Sequence, residues 1–287
     1  MYCSYSLCVV TFVMSVVGSC SSTHVNSHHN NTRNNISLAS CYSAPGVQKS
    51  GTTWLSTLLS ESAKLNCLDP VQKEESKTCR DRGCSNFMKH STDFNKAKKE
   101  TGKFVFVFRD TRDVLCSQWH WWNPGHLNIS SFVHDPEWGI DSVIKQQNKM
   151  MHLADQLHGA SQSSTLTYYE ELKNDTVGEL SRITAFLRMP LSHSQIESVV
   201  DSASFEAMRK KEIQGDMKLR IHPKSAHTLQ EAEKRGKGAD ELFGVMTRKG
   251  EVGGYADELD AASIVFVEAN MAQSLDHRLR LRYLPAV

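Results

Sequence analysis

Two stretches of this sequence hold residue types, at spacings, that can do chemistry on an anion. The first is Gly46-Val-Gln-Lys-Ser-Gly-Thr-Thr-Trp54, followed directly by apolar Leu55, Leu58 and Leu59. Glycine and small hydroxyl residues let a strand-to-helix turn bring successive backbone N–H groups close to an anion, and the helix that follows adds the positive end of its dipole. The string reads as a phosphate cradle with Lys49 inside it. It is not a Walker A loop, which places its lysine straight after the second glycine; here Gly51 is followed by Thr52. The second stretch is Arg109-Asp-Thr-Arg-Asp-Val-Leu-Cys-Ser117, which follows the apolar run Phe104-Val-Phe-Val-Phe108. In open α/β sheets ligands bind beyond the carboxyl ends of strands, so Arg109 stands where an anion would sit.

The elements that must position these residues can be read in outline. The uninterrupted β-rich run 104–108 suits a central strand of a parallel sheet covered on both faces. Thr53 to Ser62 reads as a helix opened by hydroxyl residues. A helical pattern from about Gly139 to Leu157 places Val143, Ile144, Gln147, Met151 and Ala154 on one mostly apolar face. A short strand, Thr165 to Tyr168, precedes Tyr169-Glu-Glu-Leu-Lys173. Asp175 caps a helix to Leu187 that Pro190 stops, and a shorter helix runs from Ser192 to Ser202. A last helix carries Ile264, Phe266, Val267 and Met271. The polar stretch Asp69 to Lys99 reads as loops and short helices around a substrate entrance. Gln214 to Asp240 reads as a mobile, lysine-rich solvated lid or surface loop rather than a nucleic-acid patch.

A chain of 287 residues with 39% hydrophobic residues can bury one sizeable core, and one domain is expected, over residues 41–287. With a net charge of +1 no global field points to nucleic acid or a membrane surface, so an anion site must be local. Within residues 1–40, the apolar run Leu7 to Gly18 reads equally as a signal-peptide core or as a buried strand, since no Lys or Arg precedes it. The compartment, cytosol or secretory lumen, stays open with it, and a membrane partner enters only if that run is an uncleaved anchor. The polar His/Asn tract from Thr23 to Asn35 has linker composition. Asn30, Asn35, Asn128 and Asn174 begin N-x-Ser/Thr sequons, which matter only in a secreted chain. The eight cysteines form no C-x-x-C pattern and suggest no zinc site; Cys79 and Cys84 can pair in an oxidising lumen, and unpaired thiols are the simpler reading.

In order, the chain presents K-S-G-T-T-W, R-D-T-R-D-V-L-C-S, Y-E-E-L-K, S-F-E-A-M and R-K-G-E-V-G-G-Y. This succession resembles the sulfotransferases that use 3′-phosphoadenosine 5′-phosphosulfate (PAPS), most of all their cytosolic branch, from Gly46 to nearly the carboxyl terminus. The resemblance implies an α/β fold: a single P-loop-like domain with a central, mostly parallel sheet flanked by helices on both faces. It implies that Lys49, Ser50, Gly51, Thr52 and Thr53 hold the 5′ end of the donor, and that Arg109, Ser117, Arg248, Lys249 and Gly250 hold its 3′ phosphate. Trp54 and Phe205 would flank the adenine, and Tyr169 and Ser204 would add hydrogen bonds. No metal is required if lysine and loop amides neutralise the leaving phosphate.

The family's catalytic histidine lies in a K-T-H-L-P-like segment before the Arg109 strand; Met88-Lys-His-Ser91 is the nearest match, making His90 the expected base and His120 its competitor. Ala203 replaces a threonine usual before Ser-Phe, and Gly254-Tyr255 stands where Asp-Trp is common. The expected partner is a small-molecule acceptor, which the sequence does not spell. A catalytically silent PAP- or PAPS-binding protein and a P-loop kinase are the competing readings. Plain structural roles compete too. Arg109 can simply pair with Asp113, Trp119, Trp121 and Trp122 can be core or pocket wall, and Arg209, Lys210 and Lys211 can form a solvated helix face.

Overall fold

A computed structural model describes residues 42–68, 103–122, 127–161, 163–214, 230–231, 234 and 244–285. His90, the segment 1–40 and the cysteines at 79 and 84 lie outside the described residues, as do the stretch 69–99 and most of 214–240.

Among the described residues three strands form one parallel sheet in the order β1 (Tyr42–Ser43), β2 (Lys103–Phe108), β3 (Ser164–Tyr168). Tyr42 lies opposite Lys103, and Phe104 to Phe108 run in register with Ser164 to Tyr168. The period of two in a strand sends alternate side chains to opposite faces. Phe104, Phe106 and Phe108 therefore enter one core cluster and Val105 and Val107 the other. A strand buried on both faces has to be apolar at every position, which is what the 104–108 run provides.

Helices cover both faces. On the phenylalanine face pack α2 (Thr111–Trp122), α4 (Ile140–Ser161), α10 (Ala261–Ser274) and α11 (His277–Tyr283). Between them are the short α3 (Ile129–Val133) and, later in the chain, α9 (Tyr255–Glu258). The valine face takes α1 (Thr52–Leu68), α6 (Thr176–Leu187) and α7 (His193–Ser202). α5 (Tyr169–Asn174) continues straight out of β3, and α8 (Phe205–Ile213) follows α7.

The helix boundaries have local causes. Asp175 accepts from Gly178 N at the start of α6, and Ser192 with Gln195 forms a reciprocal capping box at the start of α7. α6 ends at Leu187, and the next residue, Arg188, turns left-handed two residues before Pro190. The face predicted for α4 is the buried one, including the polar Gln147, which bonds Thr111 Oγ1 at 2.6 Å and the Arg109 carbonyl at 2.8 Å. That buried amide fixes the junction of β2 and α2, where the Arg109 segment leaves the sheet.

Candidate anion-binding site

The cradle forms where β1 gives way to α1. Gly46 bridges Val107 in parallel, Ser50 N bonds the Val47 carbonyl at 3.1 Å, and α1 begins at Thr52. Both Lys49 (φ 71°) and Gly51 (φ 91°) adopt left-handed backbone. At Gly51 a Cβ would come within 2.6 Å of the Tyr169 ring, so glycine meets a conformational and a steric demand together. For Lys49 the same conformation is a strain of order 1–3 kcal/mol, tolerated where surrounding structure over-determines the turn. Ser50 is fully buried and its Oγ has no hydrogen-bond partner among the described residues.

The Lys49 ammonium sits 4.4 Å over the Trp121 ring. Burial drives its pKa down to about 7; Glu212 opposes the shift, and the nearby positive charges of Arg109 and Arg248 add to it. The three cations predicted from well-separated motifs thus feel one another in a single place.

Arg109 is the hinge of the arrangement. Its Nη1 donates to the Lys49 carbonyl at 3.3 Å and its Nη2 to the Glu251 carbonyl at 2.7 Å. Its guanidinium lies 4.4 Å over Tyr169 and 3.5 Å from Asp113, the pairing foreseen as the plain structural role. Its Nε is buried without a partner among the described residues. Asp113 in turn accepts from Gly253 N at 2.9 Å and Tyr255 N at 3.1 Å, which fastens the R-K-G-E-V-G-G-Y loop to the first turn of α2.

Ser117 lies four residues beyond Asp113 and four before Trp121, so the helical repeat puts all three along one side of α2. Ser117 is half-buried there, between the loop anchor and the tryptophan beneath Lys49. Trp54 donates from Nε1 to the Ala203 carbonyl at 3.0 Å and meets Tyr169 edge-on at 5.7 Å. Phe205 packs against Gly250, where a Cβ would approach its ring to 2.7 Å and where φ is +65°. Ser204 caps α8, its oxygen accepting from Ala207 N at 3.2 Å.

Two carboxylates escaped the sequence reading. Glu212 is fully buried and accepts from Met246 N at 2.8 Å and Thr247 N at 2.9 Å, bracing the chain just before Arg248. Glu258 takes Arg248 Nη2 at 2.7 Å, Lys249 Nζ at 3.4 Å and His120 Nε2 at 2.8 Å. Neither has a local signal, since each partner lies ten or more residues away except Lys249, at nine. Asp113 was legible, one helical turn from Arg109.

What the described residues build is a strand–loop–helix turn with a lysine in it, facing two arginines held by separate anchors at the carboxyl end of a parallel sheet. Such a place can neutralise two anionic groups on one ligand. Among solved structures the chain is similar to a retinol dehydratase in complex with androsterone and inactive cofactor PAP (TM-score 0.56, 18% identity, covering 82% of this chain and 80% of that one). It is similar to mouse sulfotransferase SULT7A1 complexed with PAP as well (TM-score 0.55, 16% identity, 84% and 87%). At those identities the likeness is one of fold. Sulfotransferase 2A6 of Rattus norvegicus is 26% identical over 113 residues, 37% of this chain and 39% of that protein. Amine sulfotransferase of Oryctolagus cuniculus is 26% identical over 115 residues, 39% and 38%. These alignments span well under half of each relative's length. The sulfotransferase domain model, in contrast, matches residues 45–277, from just after β1 to the start of the last helix, and the chain belongs to that family.

Proposed function

We propose that this chain transfers a sulfuryl group from PAPS to a hydroxyl or amine of a small molecule. The observation that carries the proposal is the cradle itself, where Arg109 Nη1 holds the Lys49 carbonyl at 3.3 Å and the Ser50 hydroxyl and Arg109 Nε are buried with no hydrogen-bond partner among the described residues. Donors buried without acceptors are costly unless a ligand meets them, and an anion with two phosphate-like ends suits these. Fold neighbours solved with PAP support the choice of that nucleotide. Neighbours solved with androsterone and retinol support an apolar acceptor carrying a hydroxyl.

The bound donor supplies an activated sulfur open to in-line displacement, with PAP as the leaving group. Lys49, with the amides and hydroxyls of Ser50 to Thr53, holds the 5′ end and neutralises the charge that grows on its phosphate. Arg109, Ser117, Arg248 and the backbone at Lys249 and Gly250 hold the 3′ phosphate. Trp54 and Phe205 flank the adenine, and Tyr169 and Ser204 add hydrogen bonds, Ser204 through the O–H left free when its oxygen caps α8. His90 is the proposed base for the acceptor proton.

Titration with PAP in the presence of a chelator tests the donor site: saturable binding without magnesium is expected, and no heat and no saturation would overturn the proposal. Magnesium-dependent ATP turnover would favour a kinase instead. PAP binding without sulfated product across a phenol, alcohol and amine panel would leave a silent binding protein. The proton step is tested separately by His90→Ala, expected to lower kcat ~10²- to 10⁴-fold with PAP affinity unchanged. Full turnover in that variant would remove His90 from the mechanism.

A further inference from the structure

Arg248 is the one of the three converging cations whose guanidinium is held in place by a carboxylate outside every motif of the sequence. Among the described residues it makes one hydrogen bond, Nη2 to Glu258 Oε1 at 2.7 Å. The same carboxylate oxygen lies 3.4 Å from Lys249 Nζ, and the other oxygen bonds His120 Nε2 at 2.8 Å. All four side chains are largely withdrawn from water, Glu258 and His120 at 11% exposure and Arg248 at 13%.

Resting on the donor reading above, we infer that Glu258, braced by His120, is the positioning residue of the 3′-phosphate grip: it aims Arg248 and Lys249 and leaves most of their N–H groups for the phosphate. A guanidinium has five N–H donors in a fixed fork, so fixing one N–H orients the rest. Without such a partner a long arginine side chain samples many rotamers, and ordering it becomes a cost charged against binding.

The layout around Glu258 supports the assignment. The R-K-G loop is tied to α2 twice. Asp113, in the first turn of α2, holds Gly253 N and Tyr255 N; His120, in the last turn, holds Glu258. Those anchors are seven residues apart, roughly 10 Å along the helix axis. His120 also accepts from Gly244 N at 2.9 Å through its carbonyl, so both ends of the segment 244–258 return to this residue. The carboxylate stays ionised wherever the protein works. Burial pushes its pKa up, but the His120 hydrogen bond and the Arg248 charge outweigh that and bring it to about 2. One carboxylate set against the Arg248 guanidinium and the Lys249 ammonium leaves a net positive grip. The same geometry gives His120 a duty on the donor side, in place of the acceptor-base role for which the sequence made it a competitor to His90.

The test compares PAP with adenosine 5′-monophosphate, which lacks the 3′ phosphate. In the wild type PAP should bind far more tightly. In Glu258→Gln, which preserves shape and removes the charge, PAP should bind ~10- to 100-fold more weakly, with the affinity for adenosine 5′-monophosphate unchanged. A merely structural role would weaken both nucleotides alike and overturns the inference. Tighter PAP binding in the variant also overturns it, because the carboxylate would then be a competitor of the phosphate. His120→Gln provides the second arm: a smaller loss confined to PAP, with the acid limb of the kcat–pH profile intact. Loss of kcat with PAP affinity kept would make His120 the base and overturn its positioning role. Failure of the wild type to bind PAP at all would strike the donor reading itself. A wild type that prefers PAP beside a Glu258→Gln variant that prefers it equally would strike the positioning role alone.

Discussion

Replacing Lys49 with alanine is expected to lower kcat about 10²- to 10³-fold, the loss that follows when one preorganised charge-stabilising donor is taken from a dry site. The expectation rests on where the lysine stands. It lies inside a left-handed turn at the mouth of a 17-residue helix, covered by Trp121 and pressed by Arg109 and Arg248. A lysine present for stability would not be put there. Its backbone is strained, its ammonium is desolvated, and Arg109 and Arg248 repel it against the attraction of Glu212; alanine keeps the strain while removing the desolvation and the repulsion. The variant should therefore melt no lower than the wild type while losing turnover, the separation that marks a residue kept for function. Thermal denaturation alongside radiolabelled sulfate transfer checks both halves. Undiminished transfer would remove Lys49 from the chemistry, and a fall in melting temperature matching the loss of activity would make its role structural.

What the sequence disclosed, and what it withheld, follows from the range of the interactions involved. β2 was legible because a strand covered on both faces admits no polar position, and Phe104 to Phe108 has none. The start of α6 was legible because an N-cap is a contact between near neighbours, Asp175 and Gly178. The cradle was legible for a related reason, since its lysine, glycine and hydroxyls act within one turn of chain. α2 gave no pattern to read. Its first turn is Thr-Arg-Asp, and those polar residues can be buried because each has a partner: Thr111 bonds Gln147, Asp113 takes Gly253 N and Tyr255 N, and Arg112 reaches Asp110, Glu268 and the Tyr283 carbonyl, the last from 171 residues away. A buried polar helix held by such pairs looks in sequence like a solvated one. Glu212 and Glu258 were hidden in the same manner: a carboxylate has no signature of its own, and their roles come from partners that only the fold brings near. Ser204 shows the converse, a residue placed by a motif whose hydroxyl the fold uses for a helix cap.

The depressed pKa of Lys49, about 7, leads to the other large expected effect, on donor affinity as a function of pH. A bound dianion favours the charged amine, so binding must take up a proton wherever the free protein has lost it. Near pH 7 about half a proton should be absorbed per PAP bound, and close to one at pH 8. The heat of binding should accordingly depend on the ionisation enthalpy of the buffer. Affinity should fall about tenfold per unit as pH rises above 7, reaching roughly 50-fold at pH 9. Below about pH 6 Lys49 is almost fully charged, and there the lower limb belongs to the ligand, whose phosphates lose their second charge near pH 6. In Lys49→Met the alkaline decline should vanish. Folding stability of the free protein should move the other way over the same window. An unfolded lysine keeps its proton to about pH 10.4, so between 7 and 10.4 the unfolded chain binds more protons than the folded one. Stability relative to Lys49→Met therefore rises with pH across that interval and is flat below it, where the cost of the buried charge is complete. Affinity falling while relative stability climbs, both lost with one side chain, isolates a single amine titrating in the cradle; a pH-independent PAP affinity between 7 and 9 would show that Lys49 does not meet the donor's charge.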